Sequence, residues 1–277
     1  MSAPTTSSQK LQKAQKIEIY SRFPRIPALH FAIYVGLGAL LIASIGQVSP
    51  SPERLWDGIP RIFNLMDRML PPETDPAFLA RMGWRLLETL QIAIAGTVFG
   101  VILSLPIAWL SARRISPLPF GSFLFKGLVS LFRTIPDLVW ALIFVVTVGL
   151  GAVAGTMTIV VDTIGFCGRF FAEAMEDSDQ EPQVALDAIG ASKFNILMSV
   201  VLPDAMPSLI NTTLFALEKA IRSSVVLGLV GAGGIGQELK SAFDLFQYHK
   251  ASAIILSIFV IVLIMEWITD RLREKVK

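Results

Sequence analysis

Long uncharged stretches alternate with polar segments along this chain, and their lengths predict membrane-spanning helices. A helix needs about 20 apolar residues to cross a bilayer, and residues 28–48 supply an uncharged run of that length. Further apolar runs cover residues 86–112, 205–230 and 251–269. Residues 49–85 are rich in proline and carry charges of both signs, which is typical of a solvated loop with short surface helices.

The apolar segment in the middle of the chain is long for one crossing and short for two. No charged residue lies between Asp137 and Asp162. Glycines within this segment predict a helical hairpin, with one span from Pro136 and another over residues 156–175. The expected breaks are at Gly149, Gly151 and Gly155. Residues 118–132 contain a lysine and place apolar side chains at helical spacings, which indicates an interfacial amphipathic helix.

Basic residues mark the segments that should face the cytoplasm. Besides those of the N-terminal segment, the basic residues that we assign to the cytoplasmic side are Arg113, Arg114, Lys126, Arg133, Arg271, Arg273, Lys275 and Lys277. Only an even number of crossings puts all of them on one side. We therefore predict an all-α membrane protein with about six transmembrane helices and both termini in the cytoplasm. Residues 1–27 are then cytoplasmic and residues 49–85 extracytoplasmic. A cleaved signal is disfavoured, because a long polar region precedes the first run.

The composition supports a membrane protein and argues against several other classes. Hydrophobic residues make up 53% and charged residues 17% of the chain, against about 25% charged residues in soluble domains. A net charge of +2 without a dense basic stripe disfavours nucleic-acid binding. Cys167, His30 and His249 are too few for a disulfide framework, a metal cluster or a catalytic pair. The sequence has no G-x-x-x-x-G-K-[ST] motif, so we expect no ATP hydrolysis by this chain alone.

Residues 231–236 read G-A-G-G-I-G and match the pattern of dinucleotide-binding turns. That function needs the turn between a strand and a helix, with an acidic residue about 20 positions later. Here a long apolar run precedes the glycines, and no acidic residue lies near Ser252. We therefore interpret the run as a close-packed or flexible glycine turn at the end of a membrane helix, and we expect no cofactor in this chain.

Residues 181–203 form a hydrophilic segment between two predicted spans. Its apolar residues at helical spacing are Ala185, Leu186, Ala188 and Ile189. Gly190 follows them, and a second apolar stretch runs to Leu202 and Pro203. An apolar helix face in a cytoplasmic loop needs a partner surface to cover it. The alternative is a helix that lies on the membrane surface.

This segment resembles the E-A-A-x3-G-x9-I-x-L-P signature of ABC importer permeases. The positions that match or stand in for it are Val184, Ala185, Leu186, Gly190, Val200, Leu202 and Pro203. A V-G-A-G-G-I-G run at residues 230–236 follows the next span, as in that family. The V-G-L-G turn at residues 148–151 and an E-x3-R-S stretch with Glu218, Arg222 and Ser223 are similar to those of phosphonate and phosphite importers.

The resemblance implies a permease core over residues 86–277, with a coupling helix at about residues 181–203. A separate ABC ATPase dimer would bind ATP and Mg²⁺ and contact Val184, Ala185, Leu186, Asp187 and Gly190. Two copies of the chain would line one pathway in the lipid bilayer, and an extracytoplasmic binding protein would deliver the cargo. The expected cargo is an oxyanion of phosphorus. A methionine-type or compatible-solute importer stays open, because the wider family shares these motifs.

Ionisable residues inside the predicted spans are candidates for the pathway. A charge in the bilayer costs about 2.5–3.5 kcal/mol on insertion scales, so it faces a partner or a polar cavity. Glu218 and Arg222 are one turn apart and either pair structurally or form a gate. Helix rise places Arg222 about 28 Å beyond Pro203, near the outer boundary. Asp162 pairs with Lys219 or a second copy, or lines the pathway. The candidate pathway or gate residues are Arg222, Glu218, Ser223 and Asp162.

Two other classes fit the sequence less well. An ion-coupled secondary transporter or channel would be favoured by inverted repeats and paired interrupted helices, and no convincing repeat is present. An intramembrane enzyme would need a catalytic constellation, which the sequence does not offer.

Overall fold

A computed structural model describes residues 27–48, 52–118 and 120–275, and every regular element among them is helical. The predicted all-α class is therefore confirmed. Contacts between Cα atoms divide the chain into two units, residues 1–62 and residues 63–277. In the first unit, α1 (Ala28–Val48) has 21 residues and contains no Asp, Glu, Lys or Arg. Helix α2 (Pro52–Met69) crosses the division between the units.

The second unit continues with a series of helices of very different lengths. In order they are α3 (Pro76–Ser111), α4 (Ser122–Thr134), α5 (Asp137–Val148), α6 (Ala152–Glu176), α7 (Gln180–Ala188), α8 (Lys193–Ile196), a π-helical turn (Leu197–Val201), α9 (Leu202–Gly228), α10 (Ile235–Asp244) and α11 (Tyr248–Glu274). Asp75 caps α3 by accepting a hydrogen bond from the Phe78 amide. Helix α3 then continues for 36 residues through Pro106.

Within the described ranges, five helices are long and apolar enough to cross a membrane. They are Ala28–Gln47, Pro76–Ser111, Ala152–Glu176, Lys193–Gly228 and Tyr248–Glu274. The count reaches six when α4 and α5, which meet at 89°, form one broken span. The predicted number of about six is confirmed in this form. The apolar runs over residues 28–48, 86–112, 205–230 and 251–269 each lie largely or wholly within one of these helices, whereas the run between Asp137 and Asp162 is divided between α5 and α6.

The predicted hairpin is right in its turn and wrong in its first helix. Gly149 and Gly151 break the chain with φ values of +106° and +125°. Gly155 does not break it, because this residue lies inside α6, where a Cβ would overlap the Ala232 carbonyl oxygen. Helix α5 alone has 12 residues, about 18 Å. That length is too short for about 30 Å of hydrocarbon, so the sixth crossing also needs α4.

Helix α6 is the central element, and its most extensive contact is with α3. Gly96 and Gly100 of α3 face it closely, because a Cβ at these positions would approach the Cβ of Ile159 and Thr163 to 2.5 Å. Small residues of this kind let membrane helices pack tightly. Helix α9 also packs on α6, and the pair is held by a core cluster that includes Phe171.

The predicted coupling segment over residues 181–203 divides into two parts. Helix α7 is a separate short helix, whereas residues 193–203 begin the long helix that continues to Gly228. Pro203 does not end this helix. It lies directly after the π-helical turn Leu197–Val201, and the helix continues through it to Gly228. The segment that can act as a separate coupling helix is therefore shorter than predicted.

Candidate functional site

Polar contacts fasten α7 to the helices before and after it. Asp179 caps α7 by accepting from the Glu181 amide at 3.1 Å, and its own amide donates to the Asp204 carboxylate of α9 at 2.9 Å. Gln183 is buried, and its Nε2 donates to Ser178 Oγ and to the Asp179 carbonyl, both at 2.8 Å. These hydrogen bonds join α7 to the end of α6 and to the first turn of α9.

Gly190 ends α7 in a Schellman arrangement. Its φ is +85°, its amide donates to the Asp187 carbonyl, and the Ala191 amide donates to the Leu186 carbonyl, both at 3.0 Å. Leu186 and Ala191 pack on the same core cluster, which is the apolar contact that accompanies this motif. A Cβ at Gly190 would meet no atom within 4 Å. The backbone conformation, and not a lack of space, therefore requires the glycine.

The apolar side chains of α7 and its C-cap divide between two faces. Leu186 packs inward, whereas Val184 and Ile189 are 66% and 80% exposed. Asp187 forms an exposed ion pair with Lys193 at 3.5 Å. An outward apolar surface on a polar segment is typical of a contact site for another protein. The docking role of Val184, Ala185, Leu186, Asp187 and Gly190 stays a prediction.

An ion pair joins α6 to α9 within their spanning segments. Lys219 Nζ lies 2.7 Å and 2.9 Å from the two carboxylate oxygens of Asp162, so the expected pairing is present. Lys219 also lies 5.5 Å from the ring centroid of Phe166. Each charge thus has a partner, as the cost of an isolated charge in the bilayer demands.

Glu218 is buried and accepts hydrogen bonds from two arginines. Arg222 Nη1 donates to Glu218 Oε1 at 2.7 Å, as the i,i+4 spacing predicts. Arg273 Nη2 donates to Glu218 Oε2 at 2.8 Å, and Arg273 Nη1 donates to Asp270 at 3.0 Å. The second arginine was missed by the sequence analysis, because it lies 55 residues away on another helix. Ser223 lies half-buried beside Arg222.

The contact between Glu218 and Arg273 relates the predicted depth of Arg222 to the end of α11. Arg273 lies in the last turn of α11, so Glu218 is level with the C-terminal end of that helix. The helix Lys193–Gly228 has 36 residues, about 54 Å of rise, which exceeds the roughly 30 Å of hydrocarbon. Part of this helix is therefore expected to extend beyond the hydrocarbon. Counting the rise from Pro203 gives an upper limit to the depth of Arg222, and its distance from the outer boundary stays a prediction.

The outward side of α9 differs in character from the outward sides of its neighbours. Its exposed or half-buried residues within about one third of the helix circumference are Ser208, Asn211, Thr212, Phe215, Lys219, Arg222, Ser223 and Val226. The exposed residues of α3 and α11 include Ile94, Val98, Phe99, Ile102, Leu256, Phe259, Leu263 and Trp267. Apolar faces suit lipid, whereas a face with two cations suits a polar cavity or a second protein. We call the α9 set the polar face.

The glycine run at residues 228–236 is a close-packed turn, one of the two forms that the sequence predicted. The Gly151 amide of the α5–α6 turn donates to the Gly231 carbonyl at 2.9 Å. A Cβ at Gly236 would overlap the Val225 carbonyl oxygen. The turn after α9 therefore packs against the turn between α5 and α6 and is hydrogen-bonded to it.

Among the residues that the structure describes, no group of three or more His, Cys, Asp or Glu side chains could hold a metal ion. Cys167 is buried and free, and it packs in the core cluster with Phe171.

Comparisons with known proteins agree with this geometry. Residues 90–277 match the family described as binding-protein-dependent transport system inner membrane component. The phosphite transport system permease protein PtxC of Stutzerimonas stutzeri is 35% identical over 89% of this chain and 88% of that protein. The phosphate-import permease protein PhnE of Mycolicibacterium smegmatis is 36% identical over 84% of this chain and 43% of that protein.

The fold has a counterpart among solved structures. An inward-facing conformation of the MetNI methionine ABC transporter aligns with a TM-score of 0.65 and 22% identity, over 74% of this chain and 100% of that chain. These comparisons confirm the resemblance to ABC importer permeases that residues 184–203 indicated. The chain is therefore a multi-pass membrane protein that belongs to the family of inner-membrane components of binding-protein-dependent transport systems.

Proposed function

We propose that this chain is the permease subunit of an ATP-driven importer and that two copies form the membrane pathway for an oxyanion of phosphorus. A separate cytoplasmic ABC ATPase dimer hydrolyses the ATP, and an extracytoplasmic binding protein delivers the cargo. Both termini lie in the cytoplasm. The observation that carries the proposal is the polar face of α9, which presents Lys219 and Arg222, whereas the long helices α3 and α11 present mainly apolar side chains over their central turns.

Arg222 is the group on this face that is best suited to an oxyanion. Its side chain is 45% exposed, and within the described part of the chain only its Nη1 donates to another side chain, Glu218. The remaining N–H groups of the guanidinium are available, and a guanidinium presents them as a planar fork that fits phosphate-like oxygens. The names of PtxC and PhnE support the same class of cargo, since phosphite and phosphate are both phosphorus oxyanions.

The contacts of α7 support coupling to an ATPase. Its outward residues Val184 and Ile189 offer the apolar contact, and the Asp179–Asp204 hydrogen bond and the buried Gln183 link it to α6 and α9. The same two helices carry the Asp162–Lys219 ion pair. Closure of the ATPase dimer therefore shifts the helices that line the pathway and biases an equilibrium between inward-open and outward-open states.

A methionine importer is the alternative that the fold favours, because the MetNI structure shares it. Methionine carries both charges and an apolar side chain, whereas the α9 polar face presents a partly free guanidinium. The N–H donors of a guanidinium can replace the hydration of an oxyanion more completely than that of methionine. We therefore rank the oxyanion first.

Uptake by the assembled importer tests the proposal. The permease is expressed with its ATPase and binding protein in cells that lack other importers for phosphorus oxyanions, and uptake of labelled phosphite, phosphate and methionine is compared. We expect ATP-dependent uptake of a phosphorus oxyanion, and none when the ATPase is omitted. Methionine uptake without oxyanion uptake would refute the cargo. Failure of any ATPase to copurify with a tagged permease would refute the importer assignment.

A further inference from the structure

A second cluster of cations surrounds a cavity whose lining residues all lie outside α9 and its polar face. The cavity has a volume of about 280 Å³ and lies between α4, α6 and the end of α3, close to the lower end of the roughly 300–1,000 Å³ of ligand pockets. Its charged lining residues are Lys126, Arg133, Arg169, Glu173 and Glu176. Ser111 and Ser130 add hydroxyl groups.

Two glycines of α6 bring the cations together. A Cβ at Gly165 would lie 3.2 Å from both Cγ and N of Arg133, and a Cβ at Gly168 would lie 3.1 Å from Cγ2 of Val129. Helix α4 can therefore approach α6 closely at these positions. The approach places Arg133, in the last turn of α4, at the same cavity as Arg169 of α6.

Two of the three cations in this cluster form ion pairs, and the third does not within the described residues. Arg169 Nε pairs with Glu173 Oε1 at 2.7 Å, and Lys126 Nζ pairs with Glu176 Oε1 at 3.1 Å. The Glu176 Oε1 also accepts from the Arg113 amide at 2.7 Å. Arg133 has no ion pair within the described residues, although it lies at a predicted membrane boundary. An unpaired guanidinium that lines a cavity can bind an anion that the chain itself does not supply.

Along α6, the cavity lies on the C-terminal side of the Asp162–Lys219 ion pair. Arg169 comes 7 residues after Asp162, which is about two turns or 10 Å along the same helix face. Asp162 pairs with Lys219 of the polar face. Glu176 lies beyond Arg169, where α6 leads into α7. The cluster therefore lies between the pathway ion pair and the coupling helix, on the side that we predict to face the cytoplasm.

We propose that this cavity is a binding site for a phosphorus oxyanion group, with Arg133 as its principal ligand and Arg169 and Lys126 as supporting cations. The inference rests on the proposed function for its place in the pathway. A phosphate-like group fits because the guanidinium of Arg133 is free to bind it bidentately, and the hydroxyl group of Ser130 lines the same space. The Ser111 hydroxyl also lines it but donates to the Ile107 carbonyl at 2.7 Å. The group belongs either to the transported anion or to the headgroup of an anionic phospholipid.

Titration of the purified importer complex with inorganic phosphate and phosphite tests the free-anion source. The titrations use an Arg222→Gln background, so that binding at the polar face does not contribute. Replacing Arg133 with Gln removes a charge-assisted contact and weakens binding about tenfold, and Arg133→Lys restores part of it. Arg133 has no partner to leave unpaired, so the variant should assemble. Arg271→Gln, the same change on the same predicted side, is the matched control and leaves binding unchanged.

Nanodiscs test the lipid source. Complexes are reconstituted in phosphatidylglycerol nanodiscs, with phosphatidylcholine nanodiscs as the reference. Native mass spectra count the phosphatidylglycerol molecules that each complex retains, for the wild type and for the same Arg133 and Arg271 variants. Loss with Arg133→Gln alone, in either arm, supports the site and identifies its source. No Arg133 dependence in both arms, or an equal loss with Arg271→Gln, overturns it. The proposed cargo is tested separately: it would be wrong if the wild-type importer took up no oxyanion.

Discussion

Arg222 and Arg273 donate to the same carboxylate, and this shared contact separates a transport role from a structural one. Replacing Arg222 with Gln leaves Glu218 bonded to Arg273 at 2.8 Å, so no buried charge is left unpaired and the variant should assemble. Because the free guanidinium fork is lost, we expect oxyanion uptake to fall about tenfold or more. Arg222→Lys should keep part of the uptake. Labelled phosphite uptake by complexes of equal abundance measures the effect.

Arg273→Gln is the matched control for this prediction. It removes the same charge from the same carboxylate, but Arg273 lies on α11 and its side chain is only 26% exposed. We expect this variant to keep most of the uptake. Equal losses in the two variants would show that the arginines serve the structure of the bundle, and normal uptake with Arg222→Gln would exclude Arg222 as the anion contact.

The Asp162–Lys219 pair predicts a change in stability. Lys219→Met leaves Asp162, with a side chain 19% exposed, without its cation. We expect a loss of about 1–2 kcal/mol, below the roughly 3–5 kcal/mol for a broken buried pair, because Lys219 is 36% exposed. Adding Asp162→Asn should recover most of the loss. Thermal unfolding of the purified permease measures it, and a double variant less stable than Lys219→Met alone would contradict the prediction.

These contacts also mark the limit of sequence reasoning for single residues. The i,i+4 spacing of Glu218 and Arg222 predicts their contact because both lie on one helix. The partner of Asp162 was correctly expected because an isolated charge in the bilayer is costly. Arg273 could not be found in this way, because helix packing and not chain spacing brings it to Glu218. Functional roles for these residues stay predictions.

At the scale of the element, the C-cap of α7 should control coupling. Gly190 has a φ of +85°, and a non-glycine residue in this region costs about 1–2 kcal/mol. Leucine should therefore unwind the cap, misplace the outward Val184 and Ile189, and abolish substrate-stimulated ATP hydrolysis without preventing insertion. Asparagine tolerates positive φ better, and a Cβ here has free space. Gly190→Asn should consequently keep most of the stimulation.

ATPase assays on assembled complexes check this pair of variants. The basal rate of each complex serves as the reference, and the amount of bound ATPase subunit is measured in parallel. Normal stimulation in a well-assembled Gly190→Leu complex would remove the coupling role from α7.

The glycine turn after α9 should fail for a different reason. A Cβ at Gly236 would overlap the Val225 carbonyl oxygen, and overpacking of this kind costs about 1–3 kcal/mol. Gly236→Ala should lower the thermal unfolding midpoint of the permease. Gly83→Ala is the control, since a Cβ there meets no atom within 4 Å, and it should leave the midpoint unchanged or raise it. Equal midpoints for the two variants would contradict the packing of this turn.

The elements themselves differ in how far the sequence predicts them. Long apolar runs identify the five long helices, because the bilayer demands both length and hydrophobicity. The α4–α5 break near Pro136 is harder to interpret, since hydropathy does not report an angle of 89° between two short helices. Gly190 was expected to break or tighten this segment, but the continuation of residues 193–203 into the long helix to Gly228 was missed. Pro203 was taken as the end of a segment, whereas the helix continues through it after the π-helical turn.

At the scale of the whole molecule, the bent α4–α5 pair decides the topology. If the pair crosses the membrane once, the chain crosses six times, and both termini lie on the same side. The basic residues near the ends then agree with a cytoplasmic location. We expect a reporter fused after residue 277 to be active in the cytoplasm. Activity on the outer side would mean that the pair does not cross and that five spans are present.

Cysteine labelling tests the same topology inside the permease core. Helix α9 connects the coupling helix to the glycine turn, so Ile189 and Phe246 should lie on opposite sides of the membrane. They are 80% and 75% exposed. The single native cysteine, Cys167, is fully buried and should not react. In right-side-out vesicles, a membrane-impermeant maleimide should label Phe246→Cys at once and Ile189→Cys only after lysis. The reverse order would place α7 outside, where no ATPase could reach Val184 or Ile189, and would overturn the coupling assignment together with the topology.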